Sequence, residues 1–149
     1  MTSSILVYGF GNIGRQDDGL GVLCAERLEK ELGDAVNVEV NFQLNAEDAL
    51  TISEHSLVVF VDASTATEEA YAMEELKPDE AIAFSTHAMS PQAILSFSQE
   101  MYKSLPEAHL LHIKGYEWEF GLPLTSQAEK NLVDATSYIK QWLTKRMIH

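Results

Sequence analysis

The sequence contains a single cysteine, Cys24, among its 149 residues. A disulfide within the chain needs two cysteines and a thiolate zinc cluster needs several, so both kinds of site are excluded. We expect Cys24 to be a small core residue, because it falls in the apolar stripe of a predicted helix. The lack of disulfides favours a reducing compartment, and we expect the protein to be cytoplasmic.

Long apolar runs are also lacking. No run in the sequence approaches the roughly 18 residues that a membrane-spanning helix needs. The opening residues, Met-Thr-Ser-Ser, have neither the basic start nor the apolar core of a signal peptide. We therefore expect a protein that is neither exported nor embedded in a membrane.

Basic residues are scarce, with 10 lysines and arginines against 23 acidic residues and a formal net charge of −13. Such a field repels nucleic-acid phosphates and anionic lipid, so we expect neither nucleic acid nor a membrane surface as a partner. It favours solubility, and it would also steer a basic protein or a metal cation toward the molecule. With 46% hydrophobic residues, the chain is long enough for one core but not for two. We expect one domain, residues 1–149, and a monomer.

Glycine, in contrast, is concentrated near the start of the chain. Five of the eight glycines lie between residues 9 and 21, directly after the apolar run Ile-Leu-Val-Tyr at 5–8. An apolar run, dense glycine and then a helical pattern predict a strand, a tight turn and a helix. This is the entry to an α/β domain, with room for a ligand above the first strand.

The remaining patterns alternate between strand and helix. Ser90 and Pro91 are typical of a helix start, and Asn45 is expected to cap a shorter helix. Alternating strands and helices predict an α/β fold: a mostly parallel, doubly wound sheet of about five strands with helices on both faces. The predicted strands are 5–8, 36–44, 57–61, 70–76, 81–84 and 109–114, with a second short strand at 116–120; the predicted helices are 19–32, 46–53, 91 to before 106, and one that begins after Thr125 or Ser126.

Chemically able side chains follow several of these strands. Asp17 and Asp18 come after the first strand, Asp62 ends the 57–61 strand, and His87 follows the 81–84 strand. In a parallel sheet the carboxyl ends of the strands form the ligand-binding edge. Carboxylate and imidazole groups there suit a borderline divalent ion such as nickel, zinc or manganese. Taken singly, each residue is also explained as a helix-start acid, a turn residue or a polar residue before a cap, and only their joint placement favours a metal-contacting site.

Two other kinds of site are disfavoured. The residues Gly9, Gly11 and Gly14 match the dinucleotide-binding pattern, but Asp17 and Asp18 would put negative charge where a pyrophosphate must lie. A serine hydrolase is disfavoured because no Gly-x-Ser-x-Gly elbow exists. His109 and His112, within or beside a strand, are expected to be structural or surface groups.

Three segments of the sequence resemble the hydrogenase maturation proteases. They are Ile-Leu-Val-Tyr-Gly-Phe-Gly-Asn-Ile-Gly-Arg-Gln-Asp-Asp-Gly-Leu-Gly at 5–21, Val-Val-Phe-Val-Asp-Ala at 58–63 and Thr-His-Ala-Met-Ser-Pro at 86–91. The resemblance runs through nearly the whole chain in order and spacing. Its most specific part is the Gly-x-Gly-Asn-x-x-x-x-Asp-Asp-Gly motif at 9–19.

The resemblance implies an endopeptidase that removes the C-terminal extension of a nickel-iron hydrogenase large-subunit precursor after nickel insertion. It implies that nickel in the substrate is the recognition feature and that Asp18, Asp62 and His87 contact it. Many relatives carry Glu where Asp18 stands, and Asp is shorter by about 1.5 Å, one carbon–carbon bond. Asp17 is therefore an alternative ligand at that position.

The mechanism and the class of activity stay open at the level of sequence. In one hypothesis the site holds the substrate's nickel, which polarises the scissile carbonyl or a water, with Asp18 or Asp62 as general base. In the other, Asp18 and Asp62 form an aspartyl protease-like pair that shares a proton and activates water. A different class of function is a non-cleaving, metal-sensing or chaperone module for hydrogenase assembly.

Overall fold

A computed structural model describes residues 4–78 and 89–147 of the chain. Its strands and helices alternate for most of this length, as the hydrophobic patterns predict. A 3-10 turn, Gln16–Gly19, precedes the first helix and another, Gly33–Ala35, follows it. The strands are β1 (Ile5–Phe10), β2 (Asn37–Asn41), β3 (Leu57–Ser64), β4 (Tyr71–Glu75) and β5 (Glu107–Lys114); the helices are α1 (Leu20–Leu32), α2 (Asp48–Ser53), α3 (Pro91–Tyr102) and α4 (Ser126–Met147).

The strands form one sheet in the order β2-β1-β3-β5-β4. The three pairs among β2, β1, β3 and β5 are parallel, and only β4 runs antiparallel, along β5. The α/β class, the five strands and the mostly parallel arrangement predicted from the sequence are therefore confirmed. The carboxyl ends of β1, β3 and β5 meet at one edge of the sheet, which is where that topology places a ligand site.

Alternation along the buried strands divides the core into two layers. Val7, Val59 and Leu111 face the layer of α1 and α4, whereas Tyr8, Phe60 and Leu110 face the layer of α2 and α3. The central strand β3 is buried on both sides from Leu57 to Val61, as its continuous apolar run predicts. Helices therefore cover both faces of the sheet.

The first helix lies unusually close to the sheet. A Cβ atom on Gly21 would stand 2.3 Å from the carbonyl oxygen of Val61 and 2.8 Å from that of Phe10. No side chain fits at such distances, so α1 reaches its place above β1 and β3 only because this position is glycine. Cys24 lies on the same helix, fully buried, and burial raises the pKa of its thiol to about 11, as expected of a small apolar core residue.

Most of the remaining local predictions are confirmed. The 70–76 pattern forms β4, and the Ser90 hydroxyl accepts a hydrogen bond from the backbone N–H of Ala93, 3.0 Å, at the start of α3. Thr125 caps α4 in the same way, accepting from the N–H of Ala128 at 3.2 Å. The predicted 81–84 strand lies outside the described residues.

Two predictions are wrong. Residues 116–120 form an irregular segment rather than a strand, because their polar groups bond to the loop after β1 instead of a neighbouring strand. Asn45 does not cap α2, which begins at Asp48; the Asp48 carboxylate instead accepts from the backbone N–H of Asn45 at 2.9 Å.

None of the helices in residues 4–78 and 89–147 is both long enough and apolar enough to cross a bilayer.

Candidate functional site

The candidate site begins in the loop between β1 and α1. Gly11 has φ +138°, and a Cβ atom there would stand 2.2 Å from the backbone carbonyl oxygen of Asp18. Because glycine lacks that atom, the loop folds back tightly onto the 3-10 turn that carries Asp18. The glycine-rich stretch therefore brings an aspartate to the end of the first strand.

The carboxylate of Asp18 occupies the inside of this loop. Its Oδ2 atom accepts a hydrogen bond from the backbone N–H of Asn12 at 2.9 Å. In a nucleotide-binding loop, backbone N–H groups of this kind point at the phosphate. Here a negatively charged side chain takes that place, which supports the sequence argument against a dinucleotide site.

Asp62 lies near the end of β3 and is partly buried. Burial is the main reason that the pKa of its carboxyl group is raised to about 7; the backbone N–H of Ala63 opposes the shift, and the charge of Asp18 adds to it. β1 and β3 are adjacent and parallel, so the loop after β1 and the end of β3 place the two acids at the same edge of the sheet, and the charge of Asp18 acts on Asp62. Two of the three residues predicted for the site thus share one location.

The two acids lack a compensating positive charge in the described part of the chain. No lysine or arginine among residues 4–78 and 89–147 forms an ion pair with Asp18 or Asp62. Arg15, the nearest in sequence, instead donates through Nε to the carbonyl of Trp118 at 2.9 Å. Like charges held together without a counter-ion are relieved by a bound cation or by a shared proton. This donor set fits a divalent cation, and it equally fits proton exchange near neutral pH.

The third predicted residue, His87, lies outside the described residues. The structure resumes at Met89, whose backbone N–H donates to the carbonyl of Leu44 at 3.2 Å. The assignment of His87 as a metal ligand stays a prediction.

His112 is a group that the sequence analysis placed among structural or surface residues. It pairs in register with Asp62 across β3 and β5, and residues paired in this way point to the same face of a parallel sheet. Its Nε2 atom lies 3.5 Å from Oε2 of Glu74. The structure thus places a partly exposed histidine next to Asp62 in the sheet, on the same face. The sequence does carry one indication of this. Residues two apart in a strand share a face, so His112 lies on the same face as buried Leu110, the one covered by α2 and α3.

Asp17 has a different task from its neighbour. It is fully buried, and its carboxylate accepts four hydrogen bonds: from the backbone N–H groups of Tyr116, Glu117 and Thr125 at 2.8, 3.1 and 2.9 Å, and from the Thr125 hydroxyl at 2.9 Å. A carboxylate saturated in this way has no free oxygen for a ligand. The suggestion that Asp17 could replace Asp18 is therefore wrong, and Asp17 instead anchors the segment before α4.

A second group of carboxylates and imidazole lies at the opposite end of the sheet. Potential ligand atoms of Glu75, Glu107 and His109 come within 4.8 Å of one another. Lys77 pairs with Glu75 at 2.9 Å, and Arg146 pairs with Glu107. Both acids therefore already have a cationic partner, unlike Asp18 and Asp62. This difference makes the carboxyl edge of the sheet the better candidate for chemistry.

Comparison with known proteins gives the architecture a context. A scan of protein-family models and a search of curated proteins found no match. Among solved structures, the [NiFe] hydrogenase maturation protease HycI from Thermococcus kodakarensis KOD1 is 25% identical, with a TM-score of 0.72, and the alignment covers 94% of this chain and 92% of that one. The hydrogenase maturating endopeptidase HybD from E. coli is 23% identical with a TM-score of 0.72, covering 98% and 94%. The hydrogenase 2 maturation peptidase from a Thaumarchaeota archaeon is 22% identical with a TM-score of 0.70, covering 94% and 97%.

The last two likenesses establish the shared fold. The first adds sequence identity over nearly the full length of both chains. The Gly-x-Gly-Asn-x-x-x-x-Asp-Asp-Gly motif at 9–19 forms the loop and turn that carry Asp18. In its fold, in the coverage of both chains and in this motif, the chain is similar to the hydrogenase maturation proteases.

Proposed function

We propose that this protein is an endopeptidase that removes the C-terminal extension of a nickel-iron hydrogenase large-subunit precursor after nickel insertion, acting as a monomer. The observation that carries the proposal is the meeting of Asp18 and Asp62 at the carboxyl edge of the sheet. Within the described ranges neither acid is paired with a lysine or arginine. The named function of the structural neighbours supports this choice of substrate class.

In this proposal the substrate's own nickel is the feature that is recognised. Asp18, Asp62 and His87 would supply carboxylate and imidazole ligands, a mixed set suited to a borderline divalent ion. An arriving cation removes the repulsion between the two carboxylates, so a nickel-loaded precursor gains affinity that a nickel-free precursor lacks. Three protein ligands leave further positions open for groups of the precursor.

The same acids can carry the proton transfers of peptide hydrolysis. The oxygen of a water attacks the scissile carbonyl carbon while a carboxylate accepts the proton of that water; the carbon–nitrogen bond then breaks and the proton passes to the leaving amine. Where no cation lies between the two acids, as in the proton-sharing pair, we assign this exchange to Asp62, because a group with a pKa of about 7 both accepts and returns a proton readily at neutral pH. Asp18 acts as the neighbouring carboxylate, either on the substrate's nickel or as the partner in a proton-sharing pair.

The decisive experiment compares large-subunit mass in cells with and without this protein. We expect the precursor to keep its extension in the deletion strain and in a strain carrying Asp62→Asn. A mature mass in the deletion strain would overturn the proposal. If the protein were a non-cleaving assembly module, purified wild-type protein would bind the precursor without shortening it, and Asp62→Asn would weaken association only.

A second experiment separates the two uses of the acids. Purified protein is incubated with nickel-loaded and with nickel-free precursor, and the cleaved fraction is followed by mass spectrometry. Faster cleavage of the loaded precursor is the expected result. Equal rates would contradict recognition through nickel and favour the proton-sharing pair alone.

A further inference from the structure

Four large apolar side chains are exposed around the carboxyl edge of the sheet. They come from three separate loops, and we call them the rim patch. Their exposed fractions are 67% for Ile13, 63% for Phe42, 74% for Phe120 and 51% for Leu122. Exposed apolar residues that gather in one place are typical of a binding surface, whereas single ones are ordinary on any protein.

Backbone hydrogen bonds join the three loops that carry the rim patch. The N–H of Gly121 donates to the carbonyl of Gly14 at 2.9 Å, which sets the 120–122 segment beside Ile13. The N–H of Gly11 donates to the carbonyl of Asn41 at 3.1 Å, which brings the residue after Asn41, Phe42, to the same loop. The four side chains thus share one rim although they are up to 109 residues apart in the chain (from 13 to 122).

The backbone beneath the patch is held firmly. Asp17 binds the 116–125 segment through four hydrogen bonds, and Arg15 binds the carbonyl of Trp118. The Arg15 guanidinium also lies over the ring of Phe120, 5.6 Å from its centroid. A surface that is apolar, exposed and already ordered loses little entropy when a partner binds.

The patch is continuous with the candidate site. Ile13 directly follows Asn12, the residue whose N–H binds the carboxylate of Asp18. Ile13 thus lies next to the loop that binds Asp18, and we expect a chain that brings a peptide bond to Asp18 to pass beside it. The rim also carries the exposed acids Glu117 and Glu119, within a molecule of net charge −13. An acidic rim around an apolar patch complements an apolar segment flanked by basic side chains.

We propose that the rim patch binds the hydrogenase large-subunit precursor itself, through an apolar segment with basic flanks next to the scissile bond. This inference rests on the proposed function, since it names the surface that holds the same substrate. It assigns recognition to two parts of the molecule: the carboxylates contact the metal-bearing side of the precursor, and the rim patch contacts the polypeptide.

The test measures cleavage of purified, nickel-loaded precursor as a function of precursor concentration. The test variant is Ile13→Ser with Phe120→Ser; the control is Leu105→Ser with Val133→Ser, which removes two apolar side chains of 46% and 52% exposure away from this rim. We expect the test variant to raise KM by about tenfold or more with kcat changed less than about twofold, since truncated interface anchors act on binding. The control should leave both constants unchanged. All four substituted side chains are exposed, and thermal unfolding checks that each variant folds.

Each result has a defined meaning. An unchanged KM in the test variant, with an active wild type, would overturn the rim patch and leave the proposed function standing. No cleavage by the wild type would overturn the proposed function instead. Sedimentation of the protein alone adds a third outcome: a wild-type dimer that the test variant abolishes would show that the patch joins two copies of this chain, which overturns the proposal.

Discussion

Replacing Asp62 by Asn is expected to stabilise the metal-free protein at alkaline pH. In the folded protein burial, with a contribution from Asp18, raises the pKa of Asp62 to about 7 from 3.8. Between these two values the unfolded chain loses the proton of Asp62 while the folded protein keeps it. The free energy of unfolding therefore falls as the pH rises through this window, and it stays low above pH 7. Asparagine carries no charge, so the variant escapes this loss.

The size of the effect follows from the shift. A difference of about three pKa units at ~1.4 kcal/mol each sets an upper limit of about 4 kcal/mol. Asp62 keeps some contact with solvent, and local relaxation lowers the penalty of a buried charge. We therefore expect the variant to exceed the wild type by about 2 kcal/mol at pH 8 and by much less at pH 5. Asn retains an acceptor for the backbone N–H of Ala63, so that hydrogen bond survives.

The assay is urea denaturation of both proteins at pH 5 and pH 8 in the presence of a chelator. Asp134→Asn is the control, because it removes an exposed carboxylate from α4 and should show no such pH-dependent gain. Equal stability of wild type and Asp62→Asn at pH 8, or a larger gain at pH 5, would refute the argument that burial and Asp18 disfavour the charge on Asp62. The same substitution should abolish processing of the precursor, so the inactive variant would be more stable than the active wild type at pH 8.

Three further predictions concern the loop after β1 and the 116–125 segment that bonds to it. Asp17→Asn should lower the free energy of unfolding by about 2–4 kcal/mol, because an amide cannot replace a buried carboxylate that accepts four hydrogen bonds. Asp18→Asn should lower it by less than about 1 kcal/mol and still abolish processing. Urea denaturation and the cleavage assay check both variants, and equal losses of stability would contradict the different roles of the two aspartates. Gly11→Ala should lower activity more than about tenfold, since its Cβ would lie 2.2 Å from the Asp18 carbonyl oxygen. Gly14→Ala should be tolerated, because the nearest atom to its Cβ is in the Asn12 side chain at 3.2 Å. Comparable activity of the two variants would show that the loop adapts. Glu119→Lys should raise KM for the precursor a few-fold at low salt and have little effect at high salt, and a salt-independent change would count against electrostatic attraction at the rim.

Much of the architecture is predictable from residue periodicity. The apolar, β-branched run 57–61 marked a central parallel strand, and Ser90 with Pro91 marked the start of α3, because each pattern satisfies a local physical requirement. The weaker pattern at 70–76 also proved to be a strand. It is the antiparallel edge strand β4, bonded to β5.

Residues 116–120 show where local reasoning fails. Three aromatic residues, Tyr116, Trp118 and Phe120, alternate with acids as a strand would. The backbone of this segment is instead held by Asp17, Gln16 and Arg15. Such long-range bonds leave no trace in a short window of sequence. The same limit applies to the adjacent aspartates: their chemistry is identical in the sequence, and only the partners across the fold separate the anchor Asp17 from the site residue Asp18.

The site itself was predictable in outline. Asp18 and Asp62 were expected at neighbouring strand ends, and the structure brings them together because β1 and β3 are adjacent in the sheet. His112 was not expected there, since its place beside Asp62 depends on the register between β3 and β5. Periodicity gives the face on which a side chain lies, but register requires knowledge of which strands pair.

The four hydrogen bonds of Asp17 also bear on when the enzyme becomes competent during synthesis. Two of them join Asp17, the neighbour of Asp18, to Thr125, 108 positions later, just before the final helix. A nascent chain that has emerged only as far as β5 has both catalytic candidates but lacks Thr125 and all of α4. The loop that orients Asp18 therefore reaches its final form only after the start of α4 has been made, so a shorter nascent polypeptide would carry the acids without the hydrogen bonds that align them.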